Sequence, residues 1–310
     1  MIENQKKKTL GNIRQVLLFI TTTFVIPIGG ASPTHASDRD PSISSKYRGW
    51  DFLVSQLQER GVPENTLKQI YLDPNMPPFL RLEFSVNPSE SKRIYRHFLE
   101  PSRIQAAQKY MQEHRTWFSL AQQKYGLPEE IIGSIILVET HIGGYTGNHS
   151  VIYRLSRLAN AASPENIRKN YARLLNSGEK VTLQEVEDRG RYLLDLFIPE
   201  IEATIHIAEQ QRFSVFKMKG SPAGAFGIPQ FLPTSFLRYG VDANEDGKTS
   251  LFDHSDAILS IANYLTSNMR ATDPNANMQS LSAIEKGIWK YNNSQAYVDT
   301  VISVAKALGL

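Results

Sequence analysis

Residues 128–144 read PEEIIGSIILVETHIGG, and this stretch decides the fold class. Pro128 suits the first position of a helix, and Glu129 and Glu130 suit the positive end of its dipole. Helical spacing places Ile132, Ile135, Ile136 and Glu139 on or near one face of a helix over Ile131–Thr140. Gly143 and Gly144 end it. A carboxylate there is either in water at the end of the apolar stripe or buried within it. Burial disfavours the charged form and raises the pKa, which is what an acid needs to donate a proton near neutral pH.

The same periodicity extends in both directions. Upstream, Phe52, Leu53, Leu57 and Val62 mark one helical segment, and Pro63-Glu64 starts another. Asp73–Phe79, with three prolines, reads as an irregular connection. Arg103–Tyr125 reads as a helix through Ile104, Ala107, Tyr110, Met111 and Trp117, ended by Gly126. Downstream, Arg189–Gln211 and Ser255–Thr266 carry helical apolar spacing, and Ile284–Leu308 does so in two pieces around Asn292-Asn293. Alternating runs are scarce, and no repeat with a period of about 20–50 residues is visible. The chain is mainly α.

The 310 residues contain 34 basic and 31 acidic side chains, a net charge of +3. That excess sits in Met1–Ala36, where Lys6, Lys7, Lys8 and Arg14 face only Glu3. The remainder is balanced, so no nucleic-acid surface follows from the charge. Hydrophobic residues make up 41%, enough for a buried core rather than a disordered chain. There is no cysteine, which excludes disulfides, thiolate zinc sites, a cysteine nucleophile and a lipid-modified N-terminal cysteine.

Lys6–Lys8 and Arg14 precede an apolar stretch, Val16–Ile28, and then small residues with Thr34-His35-Ala36 before Ser37. This is the pattern of an export signal over residues 1–36, too short for a comfortable membrane span; an uncleaved anchor and a buried helix are the alternatives. Residues 37–49 read as a polar, disordered leader, and 50–310 as one domain.

Three further motifs carry chemistry. Gly220–Ser235 reads GSPAGAFGIPQFLPTS. Its glycines allow close approach of a ligand but match no phosphate-loop pattern, and Gln230 offers a donor and an acceptor for hydroxyls or amides. The plain alternative is a structural loop. Asp242–Asp253 reads DANEDGKTSLFD. It follows the calcium-loop pattern through Asp242, Asn244, Asp246, the Lys248 carbonyl and Ser250, with Asp253 in place of the usual glutamate. A metal-free turn is the alternative. Trp289–Tyr297 mixes aromatics with amides, as sugar sites and ordinary helix caps both do. Glu202, His206 and Glu209 share helical spacing and read as a solvated face.

In order along the chain come VET at 138–140, GSPAGAFGIPQFLPTS at 220–235, DANEDGKTSLFD at 242–253, DAILSIANYL at 256–265 and KYNNSQAYV at 290–298. This succession resembles the lytic murein transglycosylase B family, from about Trp50 to the C-terminus. The resemblance implies a lysozyme-like, mainly α catalytic domain with an EF-hand-like ion loop at 242–253. It implies cleavage of the β-1,4 bond between N-acetylmuramic acid and N-acetylglucosamine of peptidoglycan, leaving 1,6-anhydromuramic acid ends. Glu139 matches the family's single catalytic acid and base. Ser221, Gln230, Tyr264, Asn292 and Tyr297 match groove residues that hold the sugar. Over Asn160–Asp188 the family's Arg- and aromatic-containing stretch is not kept, and no substrate contact is carried over there.

The expectation is therefore an exported, periplasmic or extracellular monomer acting on glycan strands, without nucleic-acid partner or lipid anchor. No cofactor is expected for catalysis, and Ca2+ or Na+ would be structural. The competing readings are a hydrolytic muramidase on the same fold and a non-catalytic cell-wall-binding protein.

Overall fold

The computed structural model describes residues 45–87 and 97–310. The expected signal at 1–36 and residues 37–44 of the expected leader lie outside these. In chain order the helices are α1 (Asp51–Glu59), α2 (Glu64–Tyr71), α3 (Pro101–Glu113), α4 (Arg115–Tyr125), α5 (Glu129–Thr140) and α6 (Val151–Ala159). They continue with α7 (Pro164–Asn176), α8 (Leu183–Gln210), α9 (Pro233–Tyr239), α10 (His254–Thr272), α11 (Leu281–Tyr291) and α12 (Gln295–Leu308). Strands among the described residues are two-residue pieces, so the protein is mainly α. No described helix is long and apolar enough to cross a membrane.

The chain forms two compact units within the stretch read as one domain. The first comprises residues 97–148 and 219–310, with α3–α5 and α9–α12; the second comprises 45–87 and 149–218, with α1, α2 and α6–α8.

In the first unit α5 is central and packs against α12, α3 and α4. Ile131–Leu137 are all buried, Gly133 and Ser134 included, so the helix is enclosed on every side. Gly133 makes this possible, since a Cβ there would lie 2.6 Å from Met111 Sδ. Pro128 is the N-cap and Glu129 the first helical residue, one position later than the sequence suggests. The helix expected over Arg103–Tyr125 is broken at His114, whose ψ is 23°. The His114 ring stacks on His254 at 4.4 Å, a tertiary contact that periodicity cannot anticipate. Gly126 ends α4 in the left-handed region, as expected.

In the second unit the core is organised around Trp50, fully buried against Phe79 at 5.1 Å and Tyr71 at 5.7 Å, with its indole N–H donating to Pro77 O. Of the expected leader at 37–49, residues 45–49 are among the described residues and are held by contacts. Tyr47 is buried, and Arg48 donates to the carbonyls of Tyr71 and Asp73. The reason is local: a polar stretch is tied down by one aromatic anchor and a guanidinium nitrogen donating to two backbone carbonyls. Asn166 and Asn170 on α7 stitch the extended segment at 82–84 through both backbone groups of Leu82 and the N–H of Phe84. α8 begins with a capping box between Thr182 and Glu185, which lengthens it upstream of the expected Arg189.

Candidate active site

Glu139 sits in the last turn of α5 and is half-buried rather than enclosed. The backbone behind it is strained. His141 and Ile142 have φ of 51° and 60°, and a β-branched residue in the left-handed region costs on the order of 1–3 kcal/mol. Thr140 holds this turn in place. Its hydroxyl lies 3.1 Å from Ile228 O and accepts from Gly143 N–H at 3.0 Å, which fastens the end of α5 to the glycine-rich loop.

The Glu139 carboxylate meets α12 across 158 residues of sequence, where the Tyr297 hydroxyl donates to Oε1 at 2.7 Å. Tyr297 is itself buried and stacks on Tyr291, with ring centroids 6.4 Å apart and planes 6° apart. Tyr291 donates to Pro229 O at 2.5 Å, so the phenol beside Glu139 is backed by one tied to the glycine-rich loop. Tyr264 on α10 stands edge-on to Tyr291 at 4.8 Å and donates to Lys290 O at 2.6 Å. Phe231 completes this wall at 5.3 Å from Tyr264.

The glycine-rich loop is internally tied. Ser221 Oγ accepts from the N–H groups of Ala223 and Ala225, and Ser221 N–H donates to Ala225 O at 2.7 Å. Gln230, at φ 49°, uses Nε2 to donate to Thr146 O at 3.0 Å and Gly227 O at 2.9 Å. The side chains expected to touch sugar therefore also shape the loop. Gly147 abuts this loop so closely that a Cβ would lie 2.2 Å from the Gly220 carbonyl. Asn292 closes α11 and is fully buried, with neither amide atom hydrogen-bonded among the described residues. The structure thus joins Glu139 and Tyr297 by a hydrogen bond and Tyr264 to them through Tyr291. Thr140, Tyr291 and Phe231 were not singled out from sequence, although each lies within a quoted motif.

Arg103 Nη1 lies 3.0 Å from His141 Nδ1. Arginine only donates, so Nδ1 accepts and the imidazole proton is assigned to Nε2. Partial burial, then the Arg103 charge and His97, hold the His141 imidazole below its ordinary range. The unfolded chain then binds more protons as pH falls through about 6.5, so stability present above that pH is lost below it. A His141→Gln variant is expected to show a smaller drop in Tm between pH 7.5 and 5.5 than the parent. An equal drop would remove His141 from the linkage.

The loop at 242–253 closes on its own carboxylates. Asp242 accepts from the N–H groups of Asp246 and Gly247, Asn244 also accepts from Asp246 N–H, and Asp246 accepts from Lys248 N–H. Asp253 turns Oδ1 to Ser255 N–H and serves as N-cap of α10. Asp256, which a twelve-residue template passes over, is buried and reaches back. Its Oδ1 accepts from Ala243 N–H at 2.9 Å and its Oδ2 from Ser250 N–H at 2.8 Å. No group of three or more acidic or histidine side chains forms a ready metal cluster among the described residues. The donors at Asp242, Asn244 and Asp246 are all oxygens, which suits a hard cation.

The sequence profile of the family described as Transglycosylase SLT domain matches residues 46–280. Membrane-bound lytic murein transglycosylase B of Escherichia coli (strain K12) is 32% identical over 172 residues, which are 56% of this chain and 40% of that protein. The chain thus spans well under half the length of that relative. Among solved structures, the Escherichia coli lytic transglycosylase Slt35 in complex with calcium has a TM-score of 0.54 at 21% identity, over 87% of this chain and 93% of the other. SltB3 from Pseudomonas aeruginosa in complex with NAG-NAM-pentapeptide has a TM-score of 0.57 at 20% identity, over 84% of this chain and 78% of the other. At these identities the two structures share the fold.

Proposed function

The chain belongs to the Transglycosylase SLT domain family, and on that premise we propose that it is a lytic transglycosylase that cleaves the β-1,4 bond between N-acetylmuramic acid and N-acetylglucosamine in peptidoglycan. The observation that carries this reading is the Glu139 carboxylate in direct hydrogen bond with the Tyr297 phenol. A half-buried carboxyl oriented by a buried donor is a positioned acid and base.

In the reaction, Glu139 gives its proton to the glycosidic oxygen as the C1–O bond breaks. The muramoyl N-acetyl oxygen stabilises the cation at C1. Glu139, now a carboxylate, accepts the C6 hydroxyl proton as O6 bonds to C1, and no water is consumed. One carboxylate in two successive roles differs from the paired carboxylates of most glycosidases. Ser221, Gln230, Tyr264 and Asn292 frame the sugar groove in this reading, with the partly exposed Tyr264 offering its ring to the pyranose.

Mass spectrometry of digested peptidoglycan tests the assignment. Anhydro-ended muropeptides are expected. Reducing ends alone would make the protein a hydrolytic muramidase, and no soluble product would make it a wall-binding protein. Tyr297→Phe removes one charge-assisted hydrogen bond and is expected to lower kcat by about 10- to 100-fold. A kcat within twofold of the parent would show that the phenol does not orient Glu139.

Residues 1–36 would direct export and be removed, placing the enzyme in the cell envelope. The loop at 242–253 would hold a structural Ca2+ through Asp242, Asn244, Asp246, the Lys248 carbonyl, Ser250 and Asp253. A native-state ligand at about 100 times its Kd adds about 2.7 kcal/mol. Millimolar calcium is therefore expected to raise Tm by several degrees, reversibly with chelator, and Asp242→Ala to abolish the shift. An unchanged Tm would remove the ion.

A further inference from the structure

The second unit contains a cleft of about 690 Å³ lined only by its own residues. Its walls come from the turn before α1, the connection at 78–81, α6 and the first turns of α7. Four cations line it: Arg81, Arg157, Arg168 and Lys169. Arg81 pairs with Glu83 at 3.1 Å and Lys169 with Glu165 at 2.7 Å. Arg157 and Arg168 take part in no ion pair among the described residues. Asp51, the other acid on the wall, is tied to Ser45 and to Tyr47 N–H.

Arg157 is held in place before any ligand arrives. Its Nη2 donates to Arg81 O at 3.1 Å, and its guanidinium lies 5.8 Å from the centre of the Tyr153 ring. One turn away, burial and then the Arg157 charge bring Arg154 down to about 10. The start of α7 adds to this field, because its N-cap Ser163 makes no side-chain cap bond. Apolar surface flanks the cations at Phe52, Phe79 and Leu80, the last 66% exposed. A ligand for this cleft carries carboxylates on a short, partly apolar frame.

We propose that the cleft binds the peptide stem of peptidoglycan, with Arg157 and Arg168 receiving its carboxylates. This rests on the reading of the chain as a peptidoglycan enzyme. A glycan strand is uncharged wherever its lactyl carboxyl is amide-linked, so the stems supply the substrate's negative charge. A guanidinium fork meets a carboxylate through two parallel N–H···O bonds.

The test is calorimetric titration of the full chain with free stem tetrapeptide at low salt, alongside the same peptide with its carboxylates amidated. Binding of the acid form is expected, weakened at least 10-fold by amidation and by Arg157→Gln with Arg168→Gln together. Arg168→Gln alone, at an exposed site, serves if the double variant does not fold, and is expected to weaken binding by several-fold. Turnover of stem-free glycan strands is expected to be unchanged in either variant, while any preference for stem-bearing strands falls. Absence of binding by the parent chain, or equal binding by the variants, overturns the proposal. Binding is read without turnover, so the two readings fail separately. A chain that releases anhydro ends but binds no stem loses only the cleft. One that binds stem but releases no product loses only the enzymatic reading.

Discussion

Replacing Glu139 with Gln is expected to lower the release of anhydromuropeptides by about 10³- to 10⁴-fold, the upper range for loss of a general acid–base group. The amide is nearly isosteric and can still accept from Tyr297, so the turn at Thr140–Ile142 and the tyrosine wall have no reason to move. What disappears is the exchangeable proton, and with it both halves of the reaction. The glycosidic oxygen leaves unprotonated, and the C6 hydroxyl has no acceptor. Glycan binding is expected to survive within a few-fold, because the sugar contacts come from other side chains. Muropeptide release and glycan affinity measured on the same preparation separate the two effects. Activity within tenfold of the parent would show that the proton comes from elsewhere.

The largest expected loss of stability comes from Asp256→Ala. This carboxylate is 1% exposed and holds Ala243 and Ser250, near the two ends of the 242–253 loop, against the first turn of α10. Truncation leaves two backbone donors without their acceptor and takes a negative charge from a helix N-terminus. Two hydrogen bonds to a charged acceptor are together worth about 3–5 kcal/mol. For a protein of this size that corresponds to a fall in Tm of roughly 10 °C. Asp256→Asn keeps one acceptor oxygen and is expected to lose less than half as much. Thermal unfolding by circular dichroism decides it, and a change below about 2 °C would mean the loop closes without Asp256.

Much of the first unit was legible from sequence because its signals are local. The apolar stripe at Ile131–Leu137, Gly126 after α4, and the break around Asn292-Asn293 each lie within a few residues of the structure they dictate. In the second unit α6 and α7 were missed. α7 presents Asn166 and Asn170 to the core, buried amides that a hydrophobic pattern does not count as core. Residues 45–49 at the end of the expected leader are held by contacts that composition does not record, the carbonyls that accept from Arg48 among them.

The sequence by itself determined the helical class, the family through five ordered motifs, and Glu139 as the acid to examine. Only the tertiary structure decided what stands beside that acid, that Asp256 clasps the ion-type loop, and that the Arg157 and Arg168 guanidinium groups face a cleft in the second unit. The physical reason is distance along the chain. Periodicity, caps and turn residues are read within one or two helical turns, whereas a hydrogen bond spanning 158 residues exists only after the helices have packed.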